Sequence, residues 1–233
     1  MPDGYATIEV NGRQADQAAM SLLEHEGWGH FTAMQVRGGR ARGLDLHLSR
    51  LEAAQHDVYG RALGGQEVRA RIRHALGGRP DASVRVYGYW AGLIVTVREP
   101  QDMPRRPHSM TAVHFQRPLA RLKHVGSWGQ GQFRQAALAA GFDEGLLVDE
   151  TGRISEGTVT NVGFWRDGTV IWPDAPKLEG ITMLLLRGQL TAAGIPQAEG
   201  SVRVHDLARR AEAGGRHDDA AAAPAHSRRR QAG

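Results

Sequence analysis

The chain has 233 residues, no cysteine, a formal net charge of +4 and a hydrophobic fraction of 41%. This composition excludes disulfides and thiolate metal sites, and the absence of an 18-residue apolar run excludes a predicted membrane-spanning helix. The first residues lack the basic and apolar regions of a signal peptide, so we expect a cytoplasmic protein.

The basic character of the chain lies mainly near its end. Residues 201–233 carry a net charge of +3 and contain seven arginines, so residues 1–200 are almost neutral. Blocks of arginine in a tail are commonly solvated. The charge therefore predicts no nucleic-acid partner, and we predict no membrane and no metal partner either.

The first part of the chain predicts strands and helices in a small α+β domain. Period-two alternation closed by glycine-containing turns indicates strands, and apolar residues at helical spacing indicate helices. The predicted strands are residues 6–10, 31–37, 40–44, 83–89 and 93–97. The predicted helices are residues 15–26, 45–59 and 67–76.

The second part alternates strands and helices in the same way. The predicted strands are residues 110–115, 144–148, 159–165 and 169–172, and the predicted helices are residues 133–140 and 182–193. We therefore predict an α/β (α+β) fold with two domains. The predicted domain limits are 1–100 for a small N-terminal domain, 101–109 for a Pro-rich linker, 110–207 for a larger domain and 208–233 for an Ala/Arg-rich tail, expected to be disordered.

Lysine is rare in this sequence. Of the 29 basic residues only Lys123 and Lys177 are lysines. An imine with an aldehyde requires a primary amine, and a permanently protonated guanidinium cannot supply one. Any covalent chemistry of that kind is thus restricted to two positions, of which Lys177 is expected to lie on a loop and to take no part in catalysis.

Four motifs follow one another between residues 121 and 182: Leu122-Lys123-His124, Phe142-Asp143-Glu144, Ser155-Glu156-Gly157 and Gly180-Ile181-Thr182. Their order and spacing resemble the fold-type IV family of pyridoxal-phosphate enzymes, which includes class IV aminotransferases and aminodeoxychorismate lyase. The resemblance covers about residues 28–207. It implies a two-domain fold with pyridoxal 5'-phosphate between the domains, and a homodimer.

The resemblance implies a role for each motif. Lys123 is the expected Schiff-base residue and proton carrier, and Glu156 the expected partner of the pyridine nitrogen. Arg50, in His47-Leu48-Ser49-Arg50-Leu51, resembles the family's phosphate arginine, although a solvent-facing helix arginine is the alternative. His47 is expected to pack or cap. The remaining cofactor-binding candidates are Gly180, Ile181 and Thr182 at a helix start, with Thr158 and Thr160 as weaker ones.

Substrate-binding candidates come from the N-terminal half. Thr32 lies in a segment that resembles the family's substrate-facing strand. Arg85, Tyr87 and Tyr89 share one face of a predicted strand and are interpreted as lining the same pocket. Ordinary strand packing is the alternative for these three residues.

Two features depart from the family pattern. Trp128 occupies the place where some aminotransferases have a tyrosine, so the substrate class cannot be carried over. Beyond His205-Asp206-Leu207 the chain shows no strand pattern where the family has further strands. Residues 214–219 can be encoded so that reading one base later gives Ala-Val-Val-Thr-Thr, and we interpret the tail as a frameshifted end, which sequencing of the source DNA tests.

Three functions remain open from the sequence. The first is an aminotransferase that moves an amino group between an amino acid or amine and a 2-oxo acid through Lys123. The second is 4-amino-4-deoxychorismate lyase, suggested by Leu122-Lys123-His124 and Thr32. The third is an inactive member of the family with a damaged C-terminus.

Overall fold

The computed structural model describes residues 4–17, 19–20, 27–102 and 106–207. None of the helices within those ranges combines the length and the hydropathy that a membrane span requires. The chain divides into two compact units, one formed by Met1–Pro104 with Leu122–Gly126 and the other by Arg105–Arg121 with Ser127–Gly233. The fold is mixed α/β, as predicted; the predicted domain limits stay a prediction.

A six-stranded sheet forms the centre of the first unit. Its strands are β1 (Tyr5–Val10), β2 (Arg13–Gln14), β3 (His30–Arg37), β4 (Arg40–Ala41), β5 (Ala82–Tyr89) and β6 (Gly92–Arg98). They are ordered β2-β1-β6-β5-β3-β4, and all neighbouring pairs are antiparallel. Tight turns connect several of them, as the glycine signals predict.

Two helices, α1 (Leu44–Tyr59) and α2 (Gly65–Leu76), cover one face of this sheet. Alternate residues of β3 and β5 point into the core, where Met34 lies opposite Val84 and both are buried. Burial of each aliphatic side chain contributes about 2 kcal/mol. A one-residue slip would expose the whole row, so burial fixes the register of the central strands.

The start of α1 differs from the prediction. The predicted strand 40–44 is too long: β4 ends at Ala41, and Gly43 adopts a left-handed conformation with φ 65° directly before α1. Glycine reaches that conformation without the steric cost other residues meet, so the chain turns there into the helix. The predicted helix 15–26 lies largely outside the described residues; of those described, residues 17, 19 and 20 are helical.

Two three-stranded sheets build the second unit. The first has the order β7-β8-β9, from β7 (Met110–His114), β8 (Glu144–Val148) and β9 (Ile154–Gly157). The second has the order β10-β11-β12, from β10 (Phe164–Arg166), β11 (Thr169–Pro173) and β12 (Gln197–Gly200).

Each of these sheets contains one parallel pair with a helix between its strands. Helix α3 (Trp128–Ala139) lies between the parallel strands β7 and β8, and α4 (Ile181–Ala192) lies between β11 and β12. Parallel strands require such long crossover connections. A core of aliphatic and aromatic side chains joins the strands of this unit: Leu146, Val148, Ile154, Phe164 and Val202.

The largest secondary-structure error falls on residues 159–165, predicted as one strand. Residues 154–157 form the strand instead, because Leu147 of β8 pairs with Glu156. The next residues form a loop whose first turn is closed by a hydrogen bond from Gly157 N–H to the Thr160 carbonyl, 2.8 Å. Helix α3 begins at Trp128, earlier than the predicted residue 133. The prediction missed its first turn because Gly129 and Gly131 have low helix propensity.

Candidate active site

The segment that carries Lys123 pairs with the beginning of β3. Phe31 N–H donates to the Lys123 carbonyl at 2.8 Å, and Val125 N–H donates to the Gly29 carbonyl at 2.9 Å. The ammonium nitrogen of Lys123 lies 4.8 Å from the centroid of the Phe31 ring, a distance at which a cation interacts favourably with the ring face. Backbone pairing therefore fixes where Lys123 leaves the main chain, and an aromatic ring adjoins its amine.

A buried histidine lies near Arg50 and Lys123, the predicted phosphate and Schiff-base residues. His47 of α1 is 5% exposed, and its Nδ1 is 2.6 Å from Oγ1 of Thr32 in β3. Burial is the largest cause that lowers the pKa of His47, and the charges of Arg50 and Lys123 lower it further, to about 4. Repulsion between charges falls with distance, so Arg50 and Lys123 both lie near this imidazole. The imidazole is neutral at pH 7.

A second histidine of the same unit is also buried. His30 is 1% exposed, and its Nε2 lies 2.7 Å from Oε1 of Gln55. Burial lowers the pKa of His30, and the hydrogen bond with Gln55 partly opposes that shift. Two buried histidines, His30 of β3 and His47 of α1, thus lie in the unit that also contains the Lys123 segment.

The predicted substrate residues lie on opposite faces of the sheet. Tyr87 is paired with Phe31, and their rings stack with centroids 5.4 Å apart. Thr32 is paired with Val86 and fully buried on the helix-covered face. The interpretation that Thr32 lines the same pocket as Tyr87 is therefore corrected: Phe31 lies beside Tyr87, because the pairing register sets which residues share a face. Arg85 and Tyr89 do share the face of Tyr87, and their substrate contacts stay a prediction.

In the second unit the predicted acid, Glu156, is part of a buried ion pair. Glu156 lies within β9, and its Oε1 accepts a hydrogen bond from Nη1 of Arg117 at 3.0 Å. The two side chains are 6% and 5% exposed, respectively. Nη1 of Arg117 also donates to the Ala120 carbonyl at 3.0 Å, and Oε2 of Glu156 accepts from Leu178 N–H at 3.3 Å. Donors thus hold both carboxylate oxygens.

The loop before α4 is shaped by Asn161. The side chain of Asn161 accepts from Gly180 N–H at 3.0 Å and donates to the Leu178 carbonyl at 2.6 Å. A Cβ atom on Gly180 would overlap Oδ1 of Asn161, so this position requires glycine. Helix α4 begins at Ile181, one residue before the predicted start at residue 182, and the N–H groups of its first turn have no partner within the helix. Such a helix start binds anions.

The two predicted threonines have different surroundings. Thr158 is fully buried, and its hydroxyl donates to Oε1 of the buried Glu144. Its carbonyl accepts from Nε2 of Gln130 at 2.9 Å. Thr160 lies in the turn beside Gly157, with its hydroxyl where a Cβ on that glycine would stand. A role of either residue in cofactor binding stays a prediction, and the Thr158 hydroxyl already has an acceptor.

Two other residues singled out in the sequence lie in this unit. Lys177 donates from Nζ to the Pro173 carbonyl at 2.6 Å, on the loop that precedes Gly180. Trp128 is 78% exposed at the first turn of α3.

Two functional candidates could not be recognised from sequence reasoning. Arg117 is one of 27 arginines, and no motif marks it. The only available signal was its position, six residues before Lys123. His47 was expected to pack or cap, and its burial indeed packs it against Thr32, but its closeness to Arg50 and Lys123 depends on tertiary structure.

Comparisons with known proteins agree on one family. The family model described as "Amino-transferase class IV" matches residues 29–214. No curated protein sequence matches the chain significantly.

Similar solved structures include both reaction types of this family. A branched-chain amino acid aminotransferase from T.th., with pyridoxamine 5'-phosphate, has a TM-score of 0.75 and 20% identity, covering 87% of this chain and 79% of that one. The 4-amino-4-deoxychorismate lyase from Pseudomonas aeruginosa has a TM-score of 0.71 and 25% identity, covering 87% and 84%.

A third similar structure is an aminotransferase from Brucella abortus bound to the cofactor PLP, with a TM-score of 0.69 and 20% identity, covering 77% of this chain and 74% of that one. These likenesses at low identity show the fold. The family model spans well over half of the chain. The chain therefore belongs to the class IV amino-transferase family.

Proposed function

We propose that this protein is a pyridoxal-phosphate-dependent aminotransferase that moves an amino group between an amino acid or amine and a 2-oxo acid. The observation that carries the proposal is the surroundings of Lys123. Its segment is fixed against β3, and its charge acts, together with that of Arg50, on the buried His47. An amine for covalent attachment and a guanidinium for a phosphate thus occur near one uncharged imidazole.

The residues present fit a phosphorylated pyridine aldehyde. In the first unit, Lys123 is a primary amine and Arg50 a guanidinium suited to a phosphate. In the second unit, the first-turn amides of α4 are donors of the kind that bind phosphate. Glu156 supplies a buried carboxylate for a protonated ring nitrogen. When bound, the cofactor supplies an electron sink for the charge left on a substrate carbon after proton removal.

The chain's own groups have separate roles in this proposal. Lys123 holds the cofactor and later carries a proton at its amine nitrogen. Arg50 acts on the same imidazole as Lys123, and its guanidinium is proposed to bind the phosphate. His47 stays uncharged and anchors α1 to β3 through Thr32.

A lyase is the second candidate, favoured by Leu122-Lys123-His124 and by the 25% identity to the Pseudomonas aeruginosa lyase over most of both chains. Both reactions begin with the same lysine. The two reactions differ in whether they require a second substrate. An aminotransferase turns over only with a 2-oxo acid acceptor, whereas a lyase releases pyruvate from 4-amino-4-deoxychorismate without one.

Borohydride trapping tests the covalent step. The protein is incubated with pyridoxal phosphate, reduced, digested and analysed by mass spectrometry. The cofactor label is expected on the Lys123 peptide and absent from Lys123→Ala, whereas Lys177→Ala keeps it as the matched control. A label on Lys177, or on neither lysine, would contradict the proposal; absence from a folded protein would favour the inactive alternative.

Steady-state assays then separate the two reactions. Product formed from an amino donor only in the presence of a 2-oxo acid supports transamination. Pyruvate formed from 4-amino-4-deoxychorismate alone supports the lyase. The homodimer implied by the resemblance stays a prediction, and light scattering of the purified protein tests it.

A further inference from the structure

We infer that Arg117 is a positioning residue that holds Glu156 ionised and in place for the cofactor. The inference rests on the proposed function, in which Glu156 faces a protonated ring nitrogen. It assigns a role to a residue that no motif marks, through contacts made entirely within the second unit.

Both members of the pair are buried. A carboxylate with 6% exposure has lost most of its hydration, and an ionised form requires compensating donors. Arg117, equally buried, supplies a charge-assisted hydrogen bond of 3.0 Å to one oxygen, and Leu178 N–H approaches the other at 3.3 Å. The guanidinium therefore places a permanent positive charge at hydrogen-bond distance from the carboxylate.

The contacts of Arg117 reach Ala120, in the turn before Lys123, and, through Glu156, the loop before α4. The same Nη1 that bonds Glu156 donates to the Ala120 carbonyl, three residues before Lys123 in the chain. On the other side of the carboxylate, Leu178 belongs to the loop that Asn161 fixes before α4. Arg117 therefore joins the turn that leads to Lys123 with the acid and, through it, with the loop at the predicted phosphate site.

Removal of the guanidinium would change the charge of Glu156. A buried carboxylate that loses its cation is neutralised by a proton more readily than it is left charged. A neutral Glu156 cannot balance the positive charge of a protonated ring nitrogen. Arg117→Met should therefore impair the cofactor site in the same way as Glu156→Gln, although Arg117 itself need not touch the cofactor.

The test compares four variants with the full-length protein: Arg117→Met, Arg117→Lys, Glu156→Gln and the double variant Arg117→Met/Glu156→Gln. Arg153→Met is the matched control, because Arg153 also forms ion pairs in this unit but contacts Asp149 and Asp174 instead of Glu156. The readouts are pyridoxal-phosphate affinity by equilibrium titration and the pH dependence of the absorption of the bound cofactor.

Arg117→Met and Glu156→Gln are expected to lose affinity by about tenfold or more, by analogy with partners that orient metal ligands, and to show the same changed absorption profile. The double variant should lose no more than either single one. Arg117→Lys should recover part of the affinity, and Arg153→Met should bind as the unaltered protein does. A folded Arg117→Met protein with unaltered affinity and absorption, alongside an impaired Glu156→Gln, would overturn the inference.

Two further outcomes are decisive. If Glu156→Gln itself binds and absorbs like the unaltered protein, the proposed role of Glu156 fails, and the inference fails with it. If Arg117→Met does not fold, the double variant, in which both charges of the pair are removed, serves in its place. Folding restored in the double variant supports the ionised pair, whereas a double variant that also fails to fold shows Arg117 to be a packing residue and overturns the inference.

Discussion

The two units hold their polar candidate residues in different ways. In the first unit, the charges of Arg50 and Lys123 act on the uncharged, buried His47. In the second unit, hydrogen bonds connect Arg117, Glu156 and the loop before α4 in a continuous series. The first arrangement depends on the ionisation of one group and should respond to pH. The second depends on close packing of backbone and side chains, so its stability should be sensitive to substitutions that add a side-chain atom.

The largest effect expected from this contrast is a loss of stability in acid that depends on His47. The folded-state pKa of His47 is about 4, below the ordinary 6.5, so the folded protein binds fewer protons than the unfolded chain between these values. The contribution of His47 to the free energy of unfolding is therefore fully present above pH 6.5 and is lost as the pH falls towards 4. This linkage amounts to about 3 kcal/mol of the free energy of unfolding.

Urea denaturation over this pH range measures the effect. His47→Gln should show a smaller fall in the free energy of unfolding, and His56→Gln, at an exposed position of the same helix, should behave as the unaltered protein. His30 keeps its own contribution of the same sign, since its pKa is also lowered. A fall of equal size in His47→Gln and in the unaltered protein would show that His47 does not carry it.

The next largest effect should come from one added methyl group in the second unit. A Cβ in Gly180→Ala overlaps Oδ1 of Asn161. If Asn161 moves away, its bonds to Gly180 N–H and to the Leu178 carbonyl are lost, at a cost of about 2 kcal/mol. Thermal or urea denaturation measures this cost, and pyridoxal-phosphate affinity should fall with it. An unchanged stability would mean that the loop does not depend on Asn161.

A smaller effect should follow from removing one cation near His47. Arg50→Met takes away the second-largest cause of the lowered pKa, so the pKa of His47 should move up towards 6.5. The acid loss of stability still begins near pH 6.5, the pKa of the unfolded chain, but it ends at a higher pH and is smaller. An NMR titration of the histidine ring measures the shift, with Arg73→Met, an exposed position on α2, as control. A pKa that stays in place would mean that the charge of Arg50 does not contribute to the shift.

The smallest effect is a stabilisation. Gly188 lies within α4, and a Cβ there meets no atom within 4 Å. Gly188→Ala should raise the free energy of unfolding by up to about 1 kcal/mol, because alanine has a higher helix propensity. It is the matched control for Gly180→Ala, since the same substitution in the same helix region should change stability in the opposite direction. Destabilisation by both variants would point to helix α4 rather than to Asn161.

The sequence alone allowed the elements and the motif residues to be predicted where local signals exist. Alternation and glycine turns indicated the central strands, and Gly180-Ile181-Thr182 correctly marked the start of a helix. The partner of Thr32 could not be derived, because alternation orders the faces within one strand but not the register between two. The strand at residues 154–157 was missed, since its polar Ser155 and Glu156 are buried by pairing with β8.

Arg117 shows the limit most clearly. Its side chain reaches Glu156, 39 positions along the chain, and nothing in the neighbourhood of either residue indicates that distance. Long-range polar pairing of this kind depends on the folded backbone. In an arginine-rich sequence, an arginine that pairs with a buried acid cannot be distinguished from the others.

The assignment of Leu122–Gly126 to the first unit has a consequence for how this protein is made. The flanking residues 105–121 and 127–233 belong to the second unit, so the two units are interleaved along the chain. On a ribosome, where N-terminal parts fold first, the sheet of the first unit can receive its last pairing segment only after residue 126 has left the exit tunnel. By then synthesis of the second unit has begun. Cleavage at a single position therefore cannot separate the two units. Cleavage within the Pro-rich segment would leave Lys123 on the C-terminal fragment, although its segment belongs to the first unit.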